Sequence, residues 1–307
     1  MRIGIFGAGG AGGHFGARLA RAGEDVVFLA RGAHLRAIRE SGLAVDTPEG
    51  EILVRPATAT DDPAAAGPVD VVLLGVKTWQ VEEAARAMRP MIGADTFVVP
   101  LQNGVEAAGQ LTSVLGQERV AGGLCATFSF VTAPGRIRSI GQVNAVRLGE
   151  LDRRPSERTE RLRRALEGAG IQATIPPDIH LALWEKFLFV VPFGGVGAVT
   201  RAPVGVTRTQ PETRRMLAEG MREILAVGKT RGISLSDGSV KEAMAFLDSL
   251  APNGTSSLQR DIAEGKPSEL EAWNGAVVRF GRESAVPTPV HEFIYRRLLP
   301  LERRARG

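Results

Sequence analysis

Apolar residues follow two kinds of pattern along this chain. In the first half they form short unbroken runs at 2–6, 25–30, 69–74 and 96–101, with helix-length segments between them. Such runs predict strands of a parallel sheet covered by helices on both faces. Two further runs, 43–46 and 51–54, flank Thr47-Pro48-Glu49-Gly50 and predict a hairpin, and strand-like segments over 119–149 break at Ala133-Pro134-Gly135. At Ile175-Pro176-Pro177 the character changes, and helical patterns follow over 178–193, 211–231, 236–250, 267–282 and 288–304. The fold class expected is α/β: an N-terminal Rossmann-type doubly wound sheet over 1–176, then an all-helical C-terminal domain over 177–307.

The first run leads directly into Gly7-Ala8-Gly9-Gly10-Ala11-Gly12 and then into a helical pattern through Phe15, Leu19 and Ala20. Strand, GxGxxG spacing and helix together predict a dinucleotide-binding turn. Gly7 permits the turn, Gly9 lets a pyrophosphate approach the backbone, and Gly12 lets the helix pack close to the strand. With Ala8, Gly10 and Ala11 these residues are the expected phosphate cradle, at a helix N-terminus that favours anions. The second run ends without the acidic residue that grips the ribose hydroxyls of NAD, and Arg31 follows it at once. An arginine there suits a 2′-phosphate, so the cofactor expected is NADPH. Arg36, five residues on, ranks below it.

The chain has 307 residues, 44% of them hydrophobic, enough for two cored domains. A net charge of +4, dispersed basic residues and a single Tyr argue against a nucleic-acid partner. The lone Cys125 stands in an apolar strand-like run and reads as a buried small residue. His14, His34, His180 and His291 have no ligand spacing, so no metal is expected. The N-terminus opens straight into a strand, and no apolar run looks long enough to span a bilayer. The expectation is a cytoplasmic protein without a membrane partner, and a homodimer stays open as one way to cover helical apolar faces.

Within 178–193 the pattern is apolar around most of the helix apart from Glu185 and Lys186. A lysine in such a buried helix needs either a partner or a task. Lys77 and Asn103 follow the third and fourth predicted strands, at the carboxyl edge where an open α/β sheet binds its ligand. Towards the C-terminus, Thr255 or Ser256 can cap one helix, and Ser268 before Glu271 fits a capping box for the next.

In combination these motifs resemble the ketopantoate reductase family, the NADPH-dependent 2-dehydropantoate 2-reductases. The resemblance runs through the glycine turn, Lys77-Thr78-Trp79-Gln80-Val81, Gln102-Asn103-Gly104, Trp184 followed by Lys186, Ser256-Ser257 ahead of Asp261, and Glu269 ahead of Asn274-Gly275. It implies Lys186 as proton donor, with Lys77 and Asn103 contacting the nicotinamide side of the cofactor and the substrate. It further implies Ser257 as a substrate contact and Glu269 as a support for cofactor and catalytic site. Members carry asparagines four and eight residues after the lysine, where this chain has Val190 and Gly194. The function expected is reduction of ketopantoate to pantoate. Two alternatives remain: reduction of a more apolar 2-oxo acid, which suits Val190 and Gly194, or NADPH binding without turnover.

Overall fold

The computed structural model describes residues 1–307, the side chain of Gln142 excepted. The chain divides into two compact units, one formed by Met1–Gln102 with Glu106–Ile179, the other by Asn103–Val105 with His180–Gly307.

The first unit begins β1 (Arg2–Phe6), α1 (Gly10–Arg21), β2 (Asp25–Leu29), α2 (Gly32–Ser41), the hairpin β3 (Leu43–Thr47) and β4 (Gly50–Val54), β5 (Thr58–Thr60), α3 (Pro63–Ala66) and β6 (Val69–Leu74). It continues through α4 (Val81–Ala87), β7 (Ile92–Pro100), α5 (Ala107–Leu115), β8 (Ala121–Ala133), β9 (Arg136–Glu150), α6 (Glu157–Gly168) and β10 (Gln172–Thr174). One sheet is entirely parallel in the order β5-β2-β1-β6-β7. That order reverses direction between β1 and β6, the switch point where such sheets open a crevice at their strand ends. The second sheet runs β10-β9-β3-β4, with β8 paired antiparallel to β9. Ile3, Ile5 and Phe28 of the first sheet, Phe15 and Leu19 of α1, and Val45, Ile52, Ile137 and Val146 of the second share one buried core. Continuous Val/Ile/Leu runs are therefore strands buried on both faces, and alternating ones belong to the half-covered second sheet.

The second unit holds α7 (Ile179–Thr200), α8 (Val204–Thr207), α9 (Pro211–Thr230), α10 (Ser239–Ser249), α11 (Ser257–Ala263), a π-helical turn over Glu271–Gly275, α12 (Ala276–Glu283) and α13 (Pro289–Arg306). Phe187, Val191, Leu217, Ile224, Leu247, Trp273, Val277 and Ile294 meet in its core. Two helical expectations are corrected here. The pattern at 178–193 continues through Pro192 to Thr200, carried on by tertiary packing where composition signals a stop. The pattern at 267–282 is a π turn followed by a short helix.

The expectation that no run could span a bilayer is also corrected. The 22 residues of α7 are long and apolar enough to do so on length and composition, yet 72% of the helix's most apolar stretch is buried inside the protein. It is the central helix of the second core, and its continuous apolarity reflects burial on all sides.

Candidate active site

At the end of β1, Gly7 adopts φ +101°, a left-handed conformation open to glycine and strained for other residues. Its N–H and that of Ala8 both donate to the carbonyl of Leu29, at 3.1 Å each, which folds the turn back over β2. A Cβ at Gly12 would lie 2.2 Å from the Gly7 carbonyl oxygen, so α1 can pack this close only with glycine there. A Cβ at Gly9 would meet nothing within 4 Å, which leaves the outer side of the turn open to a ligand. Gly9 is the N-cap of α1, no side chain caps it, and the first turn carries no acidic residue. The cradle thus has the shape, exposed backbone and dipole sign that a pyrophosphate requires.

A residue that the sequence reading passed over braces this turn. His34, in the first turn of α2, accepts the Gly135 N–H at Nδ1 (3.0 Å) and places Nε2 2.9 Å from the Ala8 carbonyl oxygen. With Nδ1 accepting, the ring proton sits on Nε2 and is donated to Ala8. The β8–β9 hairpin approaches from the other side, and a Cβ at Gly10 would lie 2.4 Å from the Ser129 carbonyl oxygen. Spacing rules for metal ligands could not reveal His34, because its partners are backbone groups brought from two distant segments.

Arg31 is the N-cap residue of α2, separated from the end of β2 by Ala30 alone. Its side chain is two-thirds exposed and pairs with Glu83 at a long 3.7 Å. The loop after β6 abuts the glycine turn: Gly75 N–H donates to Phe6 O (2.8 Å), and a Cβ at Gly7 would touch the Val76 nitrogen at 2.8 Å. Lys77 follows, its N–H held by Gln80 Oε1 (3.3 Å) and its ammonium 5.9 Å from the Trp79 ring centre. Gln102 ties the next loop to this one, donating Nε2–H to the carbonyls of Leu74 (3.0 Å) and Val76 (2.9 Å). The structure therefore brings the glycine turn, the Lys77 loop and Gln102 together at the switch point of the first unit.

Asn103 belongs to the second unit, as do Lys186, Ser257 and Glu269. Lys186 is half-buried on α7, between the buried Trp184 and Phe187. Ser256, and not Thr255, caps α11, its Oγ accepting the Gln259 N–H at 3.0 Å, and Ser257 is the first helical residue. Glu269 is buried just ahead of the π turn, where its carbonyl accepts the Trp273 N–H at 3.0 Å. The capping box proposed for Ser268 and Glu271 does not form. Ser268 is fully buried and donates its N–H and hydroxyl to Glu302 of α13, while Glu271 accepts from Tyr295 and Arg279. A buried carboxylate satisfied by three donors outcompetes a solvent-facing cap. α7, the Ser256–Ser257 cap and the π turn converge on Gly194: a Cβ there would lie 2.6 Å from Trp273 Cζ3 and 3.2 Å from Ser256 Oγ.

Deeper in this unit, Asn274 Nδ2–H donates to Nδ1 of His291 (3.0 Å), whose Nε2–H donates to Gly220 O (3.0 Å). Burial pushes the His291 pKa down to about 4, which keeps it neutral. Beside it, Glu223 accepts the backbone N–H groups of Val290 (2.7 Å) and His291 (3.1 Å), and desolvation raises its carboxyl above the usual range. Cys125 is buried with its thiol directed at the Leu101 carbonyl (3.3 Å), a packed residue and not an exposed nucleophile.

Residues 3–153 match the family described as "Ketopantoate reductase PanE/ApbA", and residues 178–302 match its C-terminal domain. The chain is 32% identical over 310 residues to the 2-dehydropantoate 2-reductase of Mesorhizobium japonicum, covering 94% of each. Among solved structures, it is similar to the 2-dehydropantoate 2-reductase of Geobacter metallireducens (TM-score 0.92, 30% identity, 98% of this chain and 99% of that one). It is likewise similar to a PanE/ApbA family ketopantoate reductase of Ralstonia eutropha JMP134 (TM-score 0.91, 30% identity, both chains covered in full).

Proposed function

The chain belongs to the ketopantoate reductase family of NAD(P)-dependent oxidoreductases, and on that premise we propose that it reduces ketopantoate to pantoate with NADPH. The observation that carries the reading is Lys186, an ammonium on an apolar helix whose neighbours Trp184, Phe187, Leu188 and Val190 are all buried.

NADPH, when bound, supplies the hydride that attacks the 2-oxo carbon. Negative charge then builds on the carbonyl oxygen, and the Lys186 ammonium stabilises that charge and donates the proton to it. Glu269 keeps the ammonium oriented and supports the cofactor. Ser257 and Asn103 hold the substrate by its polar groups, so that the carbonyl carbon meets the cofactor face in one orientation. Lys77 and Asn103 serve the nicotinamide end, and Gly7, Ala8, Gly9, Gly10, Ala11 and Gly12 receive the pyrophosphate. Arg31 takes the 2′-phosphate, a role supported by its place in the short β2–α2 connection and by its long, weak pairing with Glu83.

A second reading is favoured by Val190 and Gly194, which bring no polar side chain to the turns that follow Lys186: a more apolar 2-oxo acid as the physiological substrate. The protein acts in the cytoplasm on a small molecule, without nucleic-acid or membrane partners, and light scattering reports whether it assembles as a homodimer. The deciding experiment follows NADPH oxidation with ketopantoate, 2-oxoisovalerate and an aryl 2-oxo acid, with Lys186→Ala as control. Preference for ketopantoate supports the first reading, and preference for another acid supports the second. Measurable NADPH binding with no turnover of any 2-oxo acid overturns both.

A further inference from the structure

Gln102 stands two residues beyond the end of β7, at the carboxyl edge of the parallel sheet, and is 7% exposed. Both hydrogens of its side-chain nitrogen are committed, one to the carbonyl of Leu74 at the end of β6 and one to that of Val76. Carbonyl groups only accept, so the nitrogen must face them, and the amide cannot turn over without losing both bonds. Leu74 O also accepts the Leu101 N–H at 3.0 Å, which holds the backbone on which this side chain stands. The place of the remaining amide atom is thereby fixed. Oε1 is buried and, among the described residues, meets no hydrogen-bond donor.

This amide is tied to the wall of the glycine turn. Val76, whose carbonyl it holds, has its nitrogen 2.8 Å from the Cβ position of Gly7, and a Cβ at Gly75 would lie 2.8 Å from the Gly7 carbonyl oxygen. The sheet order reverses between β1 and β6, and a dinucleotide lies across the carboxyl ends of such a sheet with its pyrophosphate at the first glycine turn. One nucleoside half then falls on the β2 side and the other on the β6–β7 side. With the 2′-phosphate assigned to Arg31 after β2, the nicotinamide half takes the side on which Gln102 stands. A buried acceptor without a donor is destabilising, and such a group in a native protein calls for an explanation. The nicotinamide half carries the needed donors in its ribose hydroxyls and its carboxamide NH2, whereas the ionised phosphates carry none.

We infer that Gln102 is a further cofactor-binding residue, whose Oε1 accepts a hydrogen bond from the nicotinamide half of the bound dinucleotide, given by a ribose hydroxyl or by the carboxamide. The inference rests on the proposed use of NADPH and is independent of which 2-oxo acid is reduced. An ammonium such as that of Lys77 only donates, so Gln102 supplies an acceptor that Lys77 cannot. Because its own donors are held by Leu74 and Val76, the amide presents an acceptor and nothing else, set before the cofactor arrives.

The test measures Kd by isothermal titration calorimetry, in the full-length protein, for NADPH and two reduced analogues. One carries 3-acetylpyridine in place of nicotinamide, which exchanges the carboxamide NH2 for a methyl group, and the other lacks the hydroxyls of the nicotinamide ribose. Wild type is expected to bind at least one analogue about fivefold more weakly than NADPH, as fits the loss of one hydrogen bond, and the analogue that suffers identifies the donor. In Gln102→Met, similar in length and without an amide, that preference should disappear. Loss of the loop ties alone would weaken all three ligands alike and preserve the ratio, so a preference that survives in the folded variant overturns the inference. Penalties under about threefold for both analogues in wild type overturn it as well, whether or not the variant folds. Absence of NADPH binding to wild type instead removes the proposed cofactor itself, a failure distinct from tight binding without discrimination among the three.

Discussion

His34 Nε2 lies 2.9 Å from the carbonyl oxygen of Ala8, the residue at the heart of the glycine turn, and the same ring accepts the Gly135 N–H through Nδ1. One imidazole thus joins the turn, α2 and the β8–β9 hairpin. His34→Ala leaves the Ala8 carbonyl without this donor, and each such bond contributes about 1 kcal/mol, so NADPH affinity should fall about fivefold. His34→Gln, which carries both an amide donor and an acceptor, should recover part of the loss. Fluorescence titration of both variants checks this, and equal affinities for wild type and His34→Ala would remove the bracing role.

Arg31 should set the choice between the two dinucleotides. A charge-assisted contact to phosphate contributes about 1.5–3 kcal/mol, so Arg31→Ala should weaken NADPH by about 10- to 100-fold. NADH has no 2′-phosphate to lose and should change by less than about threefold. Its other partner, Glu83, is exposed at 3.7 Å and contributes little to stability, so Tm should hold. Parallel Kd measurements decide the matter, since equal losses for both dinucleotides would refute the phosphate contact.

Replacing Lys186 separates binding from chemistry. Lys186→Ala should lower kcat by about 10²–10⁴ while the NADPH Kd stays within about threefold. Lys186→Arg keeps the positive charge yet gives up a proton poorly, so it should retain substrate binding and still turn over slowly. Full turnover in Lys186→Ala would mean that another group is the acid.

His291 gives the second unit a dependence on pH. Its pKa is held down to about 4 in the folded protein, whereas the unfolded chain binds that proton near 6.5. Between these values the unfolded state carries more protons, so stability falls as pH falls: the loss begins below about 6.5 and is complete near 4, on the order of 3 kcal/mol. Glu223, whose carboxyl is raised by desolvation, acts in the opposite direction, since its contribution is present at low pH and lost as pH rises. Thermal melts from pH 7 to 4 should therefore show a steeper decline for wild type than for His291→Gln, and identical pH slopes would exclude the histidine as the source.

Local patterns made much of this legible. The apolar runs identify β1, β2 and β6, and strand, glycine spacing and helix together locate the cradle at Gly7–Gly12, because neighbours in sequence build that feature. The features that were missed depend on residues far apart. Nothing near His34 announces Ala8 and Gly135 as partners. Ser268 looks like a cap beside Glu271, and only the arrival of α13 shows that its partner is Glu302. Likewise Gly194 reads as a lost side chain until Trp273 is seen in its place. A buried helix such as α7 has the same composition as a membrane span, and the distinction lies in what surrounds it.

Glu302 connects the last helix to the residue beside Glu269. It is 5% exposed, takes the Ser268 N–H and hydroxyl, and pairs with Arg306 one turn on, which itself donates to the Ser268 carbonyl at 3.0 Å. Ser268 is thereby held through both ends of its backbone, and Glu269 inherits its position from that anchor. Glu302→Ala leaves the Ser268 N–H and hydroxyl without their buried acceptor and removes the Glu302–Arg306 ion pair, a loss of about 3 kcal/mol or more. It should lower Tm and, through Glu269, reduce kcat more than it raises the KM for the 2-oxo acid. Arg306→Ala, which keeps the Glu302–Ser268 bonds, should have a much smaller effect on kcat. If Glu302→Ala loses stability while the folded fraction keeps full kcat, the anchor is structural alone and Glu269 is positioned by other means.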